Sequence, residues 1–194
     1  MSKIVIIEYG AGNLFSVEAA IRRLGYDVIC SDDAGVIREA DKVIFPGVGR
    51  AAAAMQHLRA SGLDEVIPGL RVPVLGICLG MQLMCAFSDE GNTTGLGIFP
   101  MRVKEFSRDD KVPHMGWNGI YNLKADLLKG IPEYERVYFV HSYYVPLNEY
   151  TIATCDYQRE FSVSIRKDNF WGCQFHPEKS SDAGELIIKN FLDL

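Results

Sequence analysis

The sequence predicts an α/β fold in which an open, mostly parallel sheet carries helices on both of its faces. In the first half of the chain, short uninterrupted apolar runs alternate with stretches of helical periodicity, which is typical of strands buried on both faces. The second half contains strand-like runs separated by turns and little helix. That pattern predicts an antiparallel strand layer packed on the first sheet. We expect residues 1–194 to form a single domain.

Buried strands and amphipathic helices are expected to alternate along the first half. The apolar runs predict strands at Ile4–Ile7, Val28–Cys30, Lys42–Phe45 and Val72–Ile77. The helical spacing of apolar residues predicts helices at Leu14–Leu24, Ala51–Ala60 and Met81–Phe87.

The second half is expected to be mainly β-structure. Strands are predicted at Met101–Phe106, Val137–Val140, Thr151–Cys155, Phe161–Ile165 and Trp171–Phe175, and a helix at Ala183–Leu194. His114, Trp117 and His141 fall in aromatic-rich segments that we expect to be loops at the rim of a site, and a core position for such a histidine or tryptophan is the alternative.

Composition and charge exclude several classes of protein. The chain has 20 Lys+Arg and 25 Asp+Glu, a net charge of −5, which argues against binding of nucleic acid. The apolar run at the N-terminus ends at Glu8, so we expect no signal peptide. The longest apolar stretch, Val72 to Phe87, is interrupted by Pro73 and is too short to span a membrane. Five cysteines without a C-x-x-C pattern favour free thiols in a cytoplasmic protein.

The segment Gly76-Ile77-Cys78-Leu79-Gly80 has the pattern of a nucleophile elbow, with a thiol in place of the usual hydroxyl. The glycines are expected because such a turn strains the central residue, and nearby side chains would clash. Cys78 would then lie at the carboxyl end of a strand, where open α/β sheets bind ligands. It would also lie at a helix N-terminus, which favours a thiolate. We interpret Cys78 as a candidate nucleophile; a buried structural cysteine is the alternative.

A candidate base and its orienting group lie near the end of the last predicted strand. His176 and Glu178 are two residues apart, so in an extended segment they face the same side, close enough for the carboxylate to contact the imidazole. Such a carboxylate fixes the tautomer of a catalytic histidine. A metal site formed by Cys173, His176 and Glu178 is the alternative. Residues 173 and 176 of a strand face opposite sides, which argues against a metal.

Two glycine-rich turns follow predicted strands. In Pro46-Gly47-Val48-Gly49 the backbone can present N–H groups, so Val48 and Leu79 are candidate donors to an oxyanion. The other turn, Gly10-Ala11-Gly12-Asn13, resembles part of a dinucleotide fingerprint but lacks its third glycine. We therefore expect a tight βα turn there and no cofactor.

These motifs together resemble those of the class I, triad-type glutamine amidotransferases, and the likeness covers essentially the whole chain. They are G-I-C-L-G-M-Q around Cys78, the late F-H-P-E and the early P-G-V-G. The resemblance implies that L-glutamine is hydrolysed to glutamate and ammonia, with Cys78 as nucleophile, His176 as acid and base, and Glu178 as its orienting group. It also implies substrate-binding positions at Gly47, Gly49, Gln82, Ser142 and Tyr143.

Three further features narrow the resemblance: Y-G-A-G-N at residues 9–13, P-H-M-G-W-N at 113–118, and Lys179-Ser180. They look like the glutaminase subunits of imidazole glycerol phosphate synthases, which belong to histidine biosynthesis. That likeness implies a heterodimer in which a separate (β/α)8-barrel cyclase receives the ammonia. It implies that Asn13, Trp117 and Lys179 face this partner. Two other functions stay open: another cysteine hydrolase of the same fold, such as a γ-glutamyl peptidase, and a catalytically silent binding subunit.

Overall fold

The structure, a computed structural model, describes residues 2–10, 13–109 and 111–194. Ala11 and Gly12 of the expected first βα turn lie outside the described residues. The strands are, in chain order, β1 (Ile4–Ile7), β2 (Val28–Ser31), β3 (Lys42–Gly47), β4 (Val74–Cys78), β5 (Cys85–Ser88), β6 (Thr93–Thr94), β7 (Phe99–Glu105), β8 (His114–Ile120), β9 (Glu135–His141), β10 (Tyr143–Tyr144), β11 (Thr151–Tyr157), β12 (Arg159–Lys167) and β13 (Phe170–Cys173).

The α-helices are α1 (Leu14–Arg23), α2 (Ala34–Arg38), α3 (Ala51–Ser61), α4 (Leu63–Val66), α5 (Leu79–Leu83) and α6 (Ser181–Leu192). Short 3₁₀ turns occur at Ile67–Gly69, Glu90–Asn92, Asp126–Leu128 and Pro177–Lys179. Among the described residues, no helix is long and apolar enough to cross a membrane.

A seven-stranded sheet with the order β11-β12-β13-β4-β3-β1-β2 forms the centre of the fold. The strands from β13 to β2 are parallel, and β12 and β11 extend one edge in antiparallel fashion. The prediction of an α/β fold with a mostly parallel sheet is therefore confirmed. Strand β4 lies in the middle, between β3 and β13, so its carboxyl end is flanked by the carboxyl ends of two other parallel strands.

Helices cover both faces of this sheet, as predicted. Residues of β1 alternate between two apolar clusters: Ile4 and Ile6 pack with α1 and α6, whereas Val5 and Ile7 pack with α3. This alternation follows from the period of two along a strand, which sends successive side chains to opposite faces. A continuous apolar run is therefore required for a strand that is buried on both sides.

The antiparallel strands of the second half are present, but three of them lie elsewhere than predicted. β11, β12 and β13 join the central sheet instead of packing on it. Every residue of β13 and of β4 is buried, which suits neighbours in the middle of a sheet. The other strands form a four-stranded sheet, β10-β7-β5-β6, and the pair β8–β9.

Two local predictions were wrong. The helix expected at Met81–Phe87 is α5, which begins at Leu79 and ends at Leu83, and Cys85–Ser88 form strand β5. A short apolar run fits a buried helix and a buried strand equally well, and pairing with β7 decides. The expected loops at His114, Trp117 and His141 are strands, because residues 114–120 pair in antiparallel register with 135–141.

Candidate active site

Cys78 occupies a strained turn between the central strand and a helix. It is the last residue of β4 and the N-cap of α5, with φ 52° and ψ −109°. A β-carbon added at Gly80 would lie 1.8 Å from the carbonyl oxygen of Phe45, and one at Gly76 would lie 2.8 Å from the Met81 nitrogen. The flanking glycines are therefore required by close backbone approach, as the sequence predicts.

The Cys78 side chain borders a cleft of about 330 Å³ at the carboxyl end of the sheet. Only 7% of this residue is exposed. The cleft is lined by Val48, Gly49, Cys78, Leu79, Gln82, Glu90, Pro113, Val140, His141, Ser142, Tyr143 and His176. The lining thus unites residues from the first and second halves of the chain around one thiol.

His176 and Glu178 form a buried pair beside Cys78. The imidazole Nδ1 lies 2.8 Å from Glu178 Oε1, and the side chains are 2% and 1% exposed. Burial opposes the charge on the imidazole, but the Cys78 sulfur and the Glu178 carboxylate outweigh it and raise the pKa of His176 to about 10. Within the described residues, Nε2 of His176 has no hydrogen-bond partner. That nitrogen is free for a ligand in the cleft.

The contact between His176 and Glu178 depends on a backbone conformation that differs from the predicted one. The strand β13 ends at Cys173, and Pro177–Lys179 form a 3₁₀ turn. The turn, and not an extended segment, brings the carboxylate back to the imidazole. Cys173 is fully buried, and its pKa is raised to about 12 by burial. In the described part of the chain, no three potential ligand side chains are grouped as a metal site.

The P-G-V-G segment lies beside the elbow. Gly47 pairs with Cys78 in the parallel register of β3 and β4, and Val48 and Gly49 line the cleft. Gly49 has φ +95°, a conformation that suits glycine. Leu79 is the first residue of α5, so its N–H has no acceptor within the helix.

Gly47 does not line the cleft; it fills a tight gap next to α5. A β-carbon there would lie 2.6 Å from the hydroxyl oxygen of Tyr9 and 2.9 Å from the Gly80 nitrogen. The Tyr9 hydroxyl also donates a hydrogen bond to the Pro46 carbonyl, at 2.9 Å. These contacts fix the end of β3 against the start of α5.

The predicted substrate-binding residues Gln82, Ser142 and Tyr143 meet on one wall of the cleft. Gln82 is buried, and its Nε2 donates to the Tyr143 carbonyl at 3.1 Å and to Gln174 Oε1 at 2.9 Å. Both hydrogens of this amide are therefore used, which leaves its Oε1 as the atom that can accept a hydrogen bond from a ligand.

Sequence reasoning missed two residues of this site. Glu90 lines the cleft and accepts a hydrogen bond from the Ala51 N–H at 2.9 Å, while burial raises its pKa. Its sequence context, a polar turn, carries no signal. Gln174 is fully buried with its Nε2 3.7 Å from Cys78 Sγ. A polar residue between two buried apolar neighbours is the signal that identifies it.

Two of the three predicted partner-facing residues lie on elements that meet at the Pro177–Lys179 turn, and Trp117 lies on β8, whose partner strand β9 reaches the turn. Asn13 caps α1 by accepting from the Ser16 N–H, and α1 and β9 both contact this turn. Trp117 is 47% exposed and packs edge-on against Tyr138 of β9. Lys179 is an exposed residue of the turn itself.

Comparison with known proteins defines the class of this fold and site. The family model "Glutamine amidotransferase class-I" matches residues 5–194, so the chain belongs to the class I glutamine amidotransferase family. Two solved structures share the fold at low sequence identity. A Thermoplasma acidophilum protein described as part of a GMP synthase has a TM-score of 0.78 and 20% identity, covering 100% of this chain and 93% of that one. A structure described as a glutamine amidotransferase has a TM-score of 0.76 and 17% identity, covering 97% of each chain.

More similar relatives carry a specific name, imidazole glycerol phosphate synthase subunit HisH. The protein of that name from Bacteroides fragilis is 58% identical over 195 residues, covering 99% of this chain and 100% of the relative. That from Bacteroides thetaiotaomicron is 52% identical with the same coverage. That from Colwellia psychrerythraea is 46% identical over 210 residues, covering 100% of this chain and 93% of the relative.

Proposed function

We propose that this chain is the glutaminase subunit of an imidazole glycerol phosphate synthase, which hydrolyses L-glutamine to glutamate and ammonia for histidine biosynthesis. The relatives that bear this name match nearly the whole chain. The observation that carries the chemistry is Cys78 at a strained elbow, in one cleft with the buried His176–Glu178 pair. We infer that the protein is one cytoplasmic domain, residues 1–194, and that it works without a metal or cofactor.

The first half-reaction forms a thioester. The Cys78 thiolate attacks the carboxamide carbon of glutamine, and the N–H groups of Val48 and Leu79 stabilise the oxyanion. With its pKa raised to about 10, the imidazole of His176 carries a proton near neutral pH. It gives that proton from Nε2 to the leaving nitrogen, the C–N bond breaks, and ammonia departs.

The second half-reaction hydrolyses the thioester. Neutral His176 takes a proton from water, and the resulting hydroxide adds to the γ-glutamyl carbon. The C–S bond then breaks, glutamate leaves, and the thiolate–imidazolium pair is restored. Glu178 keeps Nδ1 of His176 hydrogen-bonded throughout, which orients Nε2 toward the cleft.

The lining of the cleft suits the amino-acid end of glutamine. Glu90 supplies a carboxylate for the α-ammonium group, and Gln82 offers its Oε1 as an acceptor. Ser142 and Tyr143 form the wall beside them, and Gly49 leaves room for the substrate because it has no side chain. Gly47 acts indirectly, by allowing the oxyanion segment to approach α5.

We infer that a separate (β/α)8-barrel cyclase binds the surface formed by α1, the β8–β9 pair and the Pro177–Lys179 turn, and that it receives the ammonia. Asn13, Trp117 and Lys179 belong to this surface. Two strongly exposed apolar residues lie on the same elements: Phe15 on α1 is 80% exposed, and Met115 on β8 is 61% exposed. Exposed aromatic and methionine side chains of this kind are enriched in protein interfaces.

Replacing the thiol tests the proposed chemistry. In Cys78→Ala, glutamine-dependent turnover should fall by roughly 10⁴-fold or more, as when a catalytic nucleophile is removed from other hydrolases. The complex with the cyclase should still form product from ammonium salts. The matched control is Cys30→Ala, because that thiol is on the edge strand β2 and should be dispensable. Substantial glutaminase activity in Cys78→Ala would show that another residue is the nucleophile.

The partner surface has its own test. Lys179→Ala and Asn13→Ala should weaken the cyclase-stimulated rate far more than the basal rate, and Trp117→Ala should lose about 1–4 kcal/mol of binding free energy if it anchors the interface. Tyr134→Ala is the matched control, since this 70% exposed aromatic residue precedes β9 at the far end of the β8–β9 pair. Wild-type affinity and stimulation in all three variants would show that the interface lies on another surface of the domain.

A further inference from the structure

A continuous chain of hydrogen bonds joins strand β8 to the Cys78 sulfur. On one side, Asn118 contacts His114, and His114 contacts His141, which contacts the Tyr143 carbonyl. On the other side, Gln82 binds the same carbonyl and also Gln174. Gln174 then reaches the sulfur. The reaction described above assigns no part to Gln174 or to the two histidines.

The Tyr143 carbonyl determines the direction of every hydrogen bond on the histidine side, because it can only accept. Nδ1 of His141, at 2.7 Å, must therefore carry a hydrogen. Burial lowers the pKa of His141 to about 3 and of His114 to about 4, so both rings are neutral. Nε2 of His141 then accepts from Nδ1 of His114 at 3.0 Å, and Nε2 of His114 accepts from Asn118 Nδ2 at 3.3 Å.

The same carbonyl determines the amide orientations on the glutamine side. The Gln82 atom that contacts it at 3.1 Å must be the nitrogen. The Gln174 atom 2.9 Å from that nitrogen must be an oxygen, because two donors cannot pair. Nε2 of Gln174 is therefore the atom that faces Cys78 Sγ, at 3.7 Å. A reversed amide would set Oε1 against the sulfur and two NH₂ groups against each other.

We propose that Gln174 donates a hydrogen bond to the Cys78 thiolate and holds it in position for attack, and that the His114–His141 pair keeps this donor aligned through the Tyr143 carbonyl. The proposal rests on the proposed function in taking Cys78 as the nucleophile. Gln174 is fully buried, so water does not compete for the sulfur from that side. Hydrogen bonds to ionised acceptors are about twice as strong as neutral ones. Gln174 thus touches a reacting atom, whereas His114 and His141 are positioning residues.

The alkylation of Cys78 by iodoacetamide measures this interaction directly, without turnover. In Gln174→Met, which removes the donor and keeps a side chain of similar length, the rate at neutral pH should fall about tenfold, the effect of losing a hydrogen bond to a charged group. The acid limb of the pH–rate profile should move to higher pH by about one unit. Gln174→Glu should be slower still, because its carboxylate repels a thiolate.

The histidine side is tested by a rescue. His141→Leu should slow the alkylation of Cys78, as Gln174→Met does. His141→Asn should keep most of the wild-type rate, because its Nδ2 replaces Nδ1 as donor to the Tyr143 carbonyl. Two of the other cysteines report on folding in the same samples. The partly exposed Cys30 should react at one rate in every variant, and the fully buried Cys85 should stay unlabelled.

The outcomes separate this proposal from the one on which it rests. If Gln174→Met keeps the wild-type rate and pH profile, the donor role of Gln174 is overturned. If His141→Leu and His141→Asn react alike, the positioning role of the histidines is overturned. Retention of glutaminase activity in Cys78→Ala would instead overturn the proposed function, whatever the Gln174 variants do.

Discussion

Replacing Gly80 by alanine should displace Cys78, the proposed nucleophile, without changing its chemistry. The new β-carbon would lie 1.8 Å from the Phe45 carbonyl oxygen, although such contacts are rarely shorter than 3.0 Å. The obstacle is the backbone of β3, in the middle of the sheet, which cannot rotate away as a side chain could. Helix α5 must therefore move by more than 1 Å, and it carries Cys78 at its N-cap and Leu79 as its first residue.

Two effects follow from this displacement. Overpacking against a rigid backbone costs about 3 kcal/mol, the upper end of the usual range for such substitutions. In a chain of this size, that cost corresponds to a decrease in Tm of roughly 6–12 °C. A displacement of about 1 Å at a reacting atom lowers the rate by about a hundredfold. Thermal unfolding and glutaminase assays measure the two effects separately.

The control for this experiment is Gly69→Ala, since an added β-carbon there meets nothing within 4 Å. This exposed glycine is the last residue of a 3₁₀ turn, and the substitution should change the free energy of unfolding by less than about 1 kcal/mol. Near-wild-type Tm and activity in Gly80→Ala would refute the idea that close contact between β3 and α5 positions Cys78.

Two further predictions concern titratable groups. A glutamine-like electrophile should label Cys78 and leave three thiols whose pKa burial raises to about 12 unmodified, as peptide mass spectrometry would detect; they are Cys85, Cys155 and Cys173. The low pKa values of His114 and His141 mean that the unfolded chain binds two protons that the folded chain excludes. The stability contributed by this pair is present above about pH 6.5 and is lost as the pH falls toward 4, by up to about 2.7 kcal/mol per pH unit. When urea unfolding is compared at about pH 7 and pH 5, the wild-type chain should lose more stability than the double variant His114→Asn/His141→Asn, and an equal loss in the two would contradict this prediction.

Local patterns identified the groups that lie within one short segment. Cys78 was predictable because the elbow and its glycines are adjacent in sequence. The pairing of His176 with Glu178 was predictable because residues two positions apart in the sequence must lie close together. Even for this pair the predicted backbone conformation was wrong, since a 3₁₀ turn replaces the expected extended segment. Residue spacing constrains distance more tightly than conformation.

Features that depend on strand pairing were not predictable. His114 and His141 meet because the register of β8 and β9 sets them opposite each other, and nothing in either segment specifies that register. The insertion of β13 beside β4 joins strands that lie far apart in the chain. Glu90 reaches the cleft from a polar turn whose sequence is ordinary for a surface. These features depend on long-range contacts, which single-sequence patterns do not encode.

The position of β13 has a consequence for biosynthesis of the protein. Until the ribosome has translated Phe170–Cys173, β4 can pair with β3 but lacks the strand that covers its other edge in the folded protein. An open apolar edge is a site for aggregation, so we expect the nascent chain to be prone to aggregation over this interval. The late synthesis of β13 also delays the assembly of the site around Cys78. Because His176 and Gln174 are translated with or just after β13, Cys78 meets the groups that surround its sulfur only when the sheet closes.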